Sequence, residues 1–336
     1  MTFNDYLKIF IDNDFPEFLQ KYLYTDTLRR LRNISQFCGV DYTKLYNPTF
    51  FYTRFYHSII VALINYHFTR DKKSTIASLL HDDKTPCFAH TIDYVLGDYK
   101  TQESSENYRR NILLQDKELL QMLKEDKIEV EELEDLSRYP ILENKSPRLC
   151  ADRLDGVLHT CAIWLHTHSL NEINEVFHGL SVIENNGSLE LGFTDEGTAL
   201  KFSRMVMVYA KVLQSNRNKL VMQYLSDMIK LLIDMGLITF EDLYTKKESE
   251  IVSLLEQFPS WQVFKNATSI ISSDIKPVDV YNVSIDVKKR NVIPLVNLDG
   301  NIARINEVSE EARRIYQEIA DYHDKKYVYI RGLKLN

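Results

Sequence analysis

The chain has 336 residues, 44% apolar and 26% charged, with only ten glycines and eight prolines, which excludes collagenous, low-complexity and disordered classes. Its 48 acidic residues outnumber 41 basic ones for a formal charge of −7, so the chain as a whole does not attract a phosphate backbone, and nucleic acid is a poor first choice of partner. Cys38, Cys87, Cys150 and Cys161 are widely spaced with no CxxC pair, the pattern of reduced thiols in a cytoplasmic protein. Met1 to Phe15 carries Asp5, Asp12 and Asp14 in place of a basic leader, and no stretch approaches about 18 uninterrupted apolar residues, so neither export nor a membrane span is expected.

From Met1 to about Met235 apolar residues recur at intervals of three and four, which predicts an almost wholly helical segment. Helices are expected over Tyr56 to Phe68, Ser74 to Asp82 and about Ser146 to Leu165. Asn185-Asn186-Gly187 and Glu190 to Phe193 read as a loop with room for a short hairpin. Thr194-Asp195-Glu196 then starts one long helix, or two joined near Ser215, ending before Gly236. After about Thr245, Val278 to Val287 and Val292 to Val296 are rich in β-branched residues, and Asn297-Leu298-Asp299-Gly300 reads as a turn. Ser309 with Glu310 and Glu311 predicts a helix to about His323, followed by a strand over Lys326 to Ile330. The expected fold is mainly α, with a helical domain over 1–245 and a small α/β appendage over 246–336.

Several polar residues fall where helices should bury apolar ones. His57 shares a stripe with Ile60, Val61, Ile64 and Phe68; His81 lines up with Ala77 and Leu80, with Asp82 next; Asp155 lies in the stripe Ala151, Leu154, Leu158, Ala162. A buried carboxylate is costly unless paired with a cation or bound to a metal. Two imidazoles and two carboxylates suit one divalent cation, although singly each residue is more often an ordinary hydrogen-bonded core group, and Asp155 has Arg153 and Arg148 nearby as alternatives.

Arg54-Phe55-Tyr56-His57-Ser58, Leu79-Leu80-His81-Asp82 and Asp152-Arg153-Leu154-Asp155 together resemble the successive H…HD…D motifs of the HD-domain phosphohydrolase superfamily. Thr27 to Gln36 resembles the RLR-x-I-x-Q segment of its dNTP triphosphohydrolase branch, Pro86-Cys87-Phe88-Ala89-His90 resembles that branch's PFSH, and Arg204 to Asn218 its long helix. The resemblance covers roughly residues 20–235, with weaker similarity over Lys288 to Glu307. It implies a helical bundle, His57, His81, Asp82 and Asp155 as metal ligands, His90 and Arg54 facing substrate phosphates, and Gln36 facing the nucleoside. The chain departs from the pattern at Thr85, which stands where the branch has a catalytic histidine, and at Gln102-Glu103, where it has a His-Glu pair. Leu149 to Asp155 resembles a subgroup with the same altered loop.

The resemblance thus implies a phosphohydrolase using Mn, Mg, Fe, Co, Ni or Zn on a nucleotide, first of all a deoxynucleoside triphosphate, or on a related phosphorylated small molecule. Arg54, His90, Lys84 and Arg204 are the candidate phosphate contacts, Asp82 a ligand that also accepts a proton from water, and Glu103 or Glu106 an outer acid or base unless these are solvated carboxylates. The alternative is a regulatory module of the same fold that binds nucleotide and scarcely turns it over. Self-association is compatible with either. His159, His166 and His168 are read as lacking an acidic partner at ligand spacing, so a second metal site is not expected. Arg29, Arg30 and Arg32 are assigned to acidic neighbours before nucleotide, Tyr52 and Tyr56 to core packing before base stacking, and Lys288-Lys289-Arg290 to a solvated turn before an acidic partner or neighbouring subunit.

Overall fold

The computed structural model describes residues 1–11, 15–101 and 112–335, and the fold is mainly α with a small α/β appendage. At its centre is α1 (Arg54–Thr69), capped by Thr53 Oγ1 accepting from the Tyr56 amide at 3.2 Å and ended by Arg70 in the left-handed region. Its residues from His57 to Asn65 are all buried, so it is enclosed on every side. Next to it lies α2 (Lys72–Leu80), capped by Asp71 on the Ser74 amide at 2.6 Å. The short α3 (Thr91–Val95) follows, and then α4 (Ala151–His159), which runs into a π-helical turn over Thr160–Trp164. The helix expected from Ser146 starts later, because Pro147 and an extended Cys150 (φ −137°) precede it. After α4, α5 (Glu196–Gln214) and α6 (Asn216–Asp234) are two helices broken at Ser215, whose hydroxyl caps the second.

The strands are β1 (Leu180–Asn185), β2 (Ser188–Phe193), β3 (Ile271–Ser273), β4 (Asn282–Val283), β5 (Leu295–Leu298), β6 (Asn301–Arg304) and β7 (Tyr327–Tyr329). One sheet has the order β1-β2-β5-β6, the other β3-β7-β4. Both hairpins of the first sheet turn on residue pairs with positive φ, Asn186-Gly187 (53° and 75°) and Asp299-Gly300 (52° and 90°), the backbone that a two-residue hairpin requires. The strand expected over Val278 to Val287 is cut to β4, since Val278 is exposed and Asp279 turns the chain left-handed. Helices over Glu248–Leu255 and Pro259–Asn266 precede the appendage strands and were not expected.

The first sheet crosses the expected division at residue 245, because β2 and β5 pair in parallel through Gly192↔Leu295 and Phe193↔Val296. A Cβ on Gly192 would lie 2.7 Å from the Leu295 carbonyl oxygen, so glycine is required for this approach. The helix α7 (Glu310–Asp321) packs along α5, and Tyr316 donates to the Val292 carbonyl at 2.9 Å. Arg304 grips the buried Glu190 with both guanidinium nitrogens at 2.8 and 2.7 Å. Among the described residues no helix is long and apolar enough to cross a membrane.

Candidate metal centre

The first turns of α1 and α4 and the C-terminal end of α2 bring His57, His81, Asp82 and Asp152 to one place. His57 Nε2 lies 3.0 Å from Asp152 Oδ1 and 3.7 Å from Asp82 Oδ2; His81 Nε2 lies 3.7 Å from each of the same two oxygens. His81 Nδ1 donates to the Ser78 carbonyl at 2.7 Å, which fixes the tautomer and leaves Nε2 as a buried lone-pair donor with no hydrogen-bond partner among the described residues. A buried nitrogen facing two carboxylate oxygens, beside a second imidazole, fits a divalent cation of mixed nitrogen and oxygen preference.

Asp155 sits on the other side of His57. Its Oδ2 is 2.6 Å from His57 Nδ1 and 3.2 Å from His159 Nδ1 and accepts from Tyr52 Oη at 3.0 Å; its Oδ1 accepts from Tyr6 Oη at 2.8 Å. The sequence expectation of Asp155 as the fourth ligand therefore meets a carboxylate already committed to four partners, while Asp152, one turn earlier, faces the other imidazole. His159 does have an acidic partner, Asp155 four residues upstream. A third acidic cluster, Glu143 with Cys150 and Asp152, already has a cation: Arg153 reaches Glu143 at 2.6 Å and Cys150 Sγ at 3.2 Å.

Burial alone would depress the His57 imidazolium, but its hydrogen bonds to Asp152 and Asp155 outweigh that and push it up to about 10. Burial likewise opposes ionisation of Asp82, yet Arg54, at 2.7 Å, and the two imidazoles hold its carboxyl well below the usual range. Asp155 is lowered in the same way by His159 and His57.

The loops around the cluster are held by interactions that sequence periodicity does not show. Thr85 donates to Asp82 Oδ1 at 3.2 Å, and the half-buried Arg30 donates to the carbonyls of Asp83 and Thr85, both at 2.8 Å. Arg30 thus shapes this turn, whereas Arg32 stacks over Phe55 at 4.0 Å and Arg29 lies 3.9 Å from Asp26. Gln36 and Arg54 lie on adjacent strands of chain, the Gln36 amide donating to the Tyr52 carbonyl and the Arg54 amide to that of Ile34, both at 2.9 Å. Gln36 Oε1 and Arg54 Nε are buried without a hydrogen-bond partner among the described residues. The fully buried Glu248 accepts from the amides of Ser35 and Phe88 at 3.2 and 2.9 Å and from Tyr42 Oη at 2.9 Å. It ties the Gln36 loop to the loop carrying His90, where Phe88 and Ala89 take left-handed φ of 61° and 45°.

His90 is 34% exposed, with Nδ1 3.1 Å from Asp93. Burial and the charges of Arg290 and Arg54 lower its pKa, against the pull of Asp93. Lys84 is half-buried in the turn after Asp82. Arg204 is exposed and paired with Glu311 of α7, on the side of α5 that meets the appendage. Glu103, with Gln102 and Glu106, lies outside the described residues. Tyr52 is core and a ligand of Asp155, and Tyr56 stacks on Phe3 at 3.8 Å.

Fold and site together define a mainly α protein built round a buried His/Asp cluster of metal-binding composition. Over 94% of its length the chain superposes on a hypothetical protein from Aquifex aeolicus (TM-score 0.60, 16% identity, 92% of that chain), and over 95% on a phosphohydrolase from Bacteroides thetaiotaomicron (TM-score 0.59, 14% identity, 97% of that chain), which establishes a shared fold. It is 30% identical over 330 residues to the uncharacterized protein YdhJ of Bacillus subtilis, covering 94% of this chain and 95% of the relative, and it belongs to the same family as YdhJ. The uncharacterized protein MG461 of Mycoplasma genitalium is 23% identical over 290 residues, covering 77% of this chain and 65% of the relative. No family model matches the chain.

Proposed function

We propose that the chain is a divalent-metal-dependent phosphohydrolase of the HD-domain type, acting on a nucleotide, with deoxynucleoside triphosphates as the first class to test. The observation that carries this reading is the buried, unpartnered Nε2 of His81, aimed with His57 Nε2 at oxygens of Asp82 and Asp152. The shared fold with the Bacteroides phosphohydrolase supports it. In this reading the ligands are His57, His81, Asp82 and Asp152, and Asp155 orients His57 through Nδ1, as carboxylates behind metal-bound histidines do.

The cation supplies an acidified water and neutralises phosphate charge. Arg54 holds Asp82 in place through Nη1 and keeps Nε for a phosphate oxygen; His90, reachable from solvent, hydrogen-bonds a second; Gln36 Oε1 meets a donor of the nucleoside. Lys84 contributes charge at the mouth. Asp82, held by Arg54, orients the bound water and is also the candidate to accept its proton.

The test is a product-resolved screen of deoxynucleoside and nucleoside tri-, di- and monophosphates with Mn²⁺ or Mg²⁺. Phosphate or triphosphate release that chelation abolishes is expected. Thermal stabilisation by nucleotide without product would favour the regulatory module, which the presence of Thr85 in place of a histidine favours.

Cation binding must displace the proton that His57 otherwise carries. That group's folded-state pKa is raised from 6.5 to about 10, so its protonation stabilises the metal-free fold fully below pH 6.5, and this stabilisation disappears as pH rises through 10. Metal affinity therefore climbs with pH between those limits, by up to about tenfold per unit for one displaced proton. Calorimetric Mn²⁺ titrations at pH 6.5, 7.5 and 8.5 check this, and an affinity independent of pH would contradict it.

A further inference from the structure

The first ten residues carry apolar side chains at Phe3, Tyr6, Leu7 and Phe10, the spacing of one helical face. They form the short helix Phe3–Leu7, started by a capping box in which Thr2 Oγ1 accepts from the Asp5 amide at 3.3 Å and Asp5 Oδ2 accepts from the Thr2 amide at 2.7 Å. Its inner face packs on the middle of the molecule. Phe3 stacks on Tyr56, and the Tyr6 ring meets those of Phe10 and Tyr52 edge-on, with centroids 5.1 and 6.0 Å apart. Tyr6 is fully buried, so its hydroxyl needs a partner inside, and that partner is Oδ1 of Asp155 at 2.8 Å. The four groups on this carboxylate are unevenly shared. Oδ2 takes His57 Nδ1 at 2.6 Å, Tyr52 Oη at 3.0 Å and His159 Nδ1 at 3.2 Å, whereas Oδ1 has Tyr6 alone among the described residues. Without the Tyr52 hydroxyl, Oδ2 keeps two partners. Without the Tyr6 hydroxyl, a fully buried carboxylate oxygen is left unpaired, and nothing counters the three groups that draw on the other oxygen.

We infer that Tyr6 is a positioning residue of the metal centre: through Asp155 it sets the orientation of His57, so the N-terminal helix is a working part of a site to which it gives no ligand. The inference rests on the reading of His57, His81, Asp82 and Asp152 as ligands, and it adds a residue outside that set. A carboxylate behind a metal-bound imidazole fixes the plane of the ring, and the angle at which Nε2 meets the ion follows from that plane. Whatever holds the carboxylate therefore holds the ligand.

The experiment compares full-length wild type, Tyr6→Phe and Tyr52→Phe. Each is titrated calorimetrically with Mn²⁺ from the metal-free state, loaded with Co²⁺ for its visible absorption spectrum, and unfolded in urea without metal. Phenylalanine keeps each ring and deletes only the hydroxyl. Groups directly behind a ligand set about ten- to a hundredfold of metal affinity; Tyr6 is one bond further out, so Y6F is expected to bind Mn²⁺ about tenfold more weakly and Y52F at most about threefold more weakly. The Co²⁺ bands of Y6F are expected to shift, because the approach of His57 to the ion changes. A hydroxyl with a structural role alone would lower the urea midpoint and leave those bands where they are. Wild-type Mn²⁺ affinity and Co²⁺ bands in Y6F, or a loss in Y52F as large as that in Y6F, would overturn the inference. Should Y6F not fold, 3-fluorotyrosine incorporated at position 6 keeps the ring and strengthens the donor; Co²⁺ bands unmoved by it would overturn the inference equally. Wild type that takes up neither ion would bring down the metal reading, and this inference with it, whereas failure of the inference alone shows in the variants and leaves wild-type metal binding intact.

Discussion

Replacing Asp152 by alanine is expected to abolish metal content and turnover in a protein that remains folded, whereas Asp155→Asn leaves a metal-binding protein weakened about 10- to 100-fold in affinity or activity. The two carboxylates differ in what they face. Asp152 Oδ1 stands 3.0 Å from His57 Nε2 and 3.7 Å from His81 Nε2, and its side chain is 33% exposed, so it borders the space a cation and a substrate must share. Asp155 is fully buried and spends both oxygens on Tyr6, Tyr52, His57 and His159. An asparagine there keeps the volume and one acceptor oxygen but loses the charge that orients His57. Elemental analysis of both variants, with turnover on the best substrate from the screen, decides between them. Retention of metal by D152A together with its loss from D155N would return the ligand role to Asp155.

The same pair explains how far the sequence could be read. Helical periodicity placed Asp155 in the buried stripe of α4, and the residue is fully buried there. Asp152, three positions away at the border of that stripe, is partly exposed and lies near both His57 and His81, a placement that the periodicity of burial does not single out. Periodicity measures burial and does not distinguish a residue that holds an ion from one that holds the holder. His57 stood out because α1 is enclosed on every side, so that a polar residue there is conspicuous, and His81 because it lines up with the buried stripe of α2. Nothing local to Arg204 shows its pairing with Glu311, because a long helix with a cation in mid-course looks the same in sequence whatever packs along its outer face. Glu248 acts through contacts far along the chain, with Ser35 and Phe88, and nothing local to its position announces them. The hairpin turn at Asn186-Gly187 was visible because two consecutive positive φ values need those residue types, but the parallel pairing of β2 with β5, about a hundred residues on, leaves no such local mark.

That long-range pairing is where the second large effect is expected, at Arg304. Arg304→Met leaves Glu190, 1% exposed, as a buried carboxylate without its bidentate partner, and removal of one member of such a pair costs about 3–5 kcal/mol. The loss is expected to reach the cluster. Glu190 Oε2 also accepts from the Leu149 amide at 3.4 Å, and the Leu191 amide donates to the Leu149 carbonyl at 3.1 Å, three residues before Asp152. Arg304 further donates to the carbonyl of Ile293 at 2.7 Å, a residue whose amide donates to the Pro147 carbonyl at 2.8 Å. R304M should therefore lower the midpoint of urea unfolding and weaken Mn²⁺ binding together, while the double variant Glu190→Leu with Arg304→Met, which removes both charges and fills the space with apolar atoms, should recover much of the stability. Unfolding curves and metal titrations of the single and double variants read both effects in one series. R304M with wild-type unfolding would mean that solvent reaches Glu190 after the change, and that the appendage is held to the helical body by β2, β5 and α7 alone.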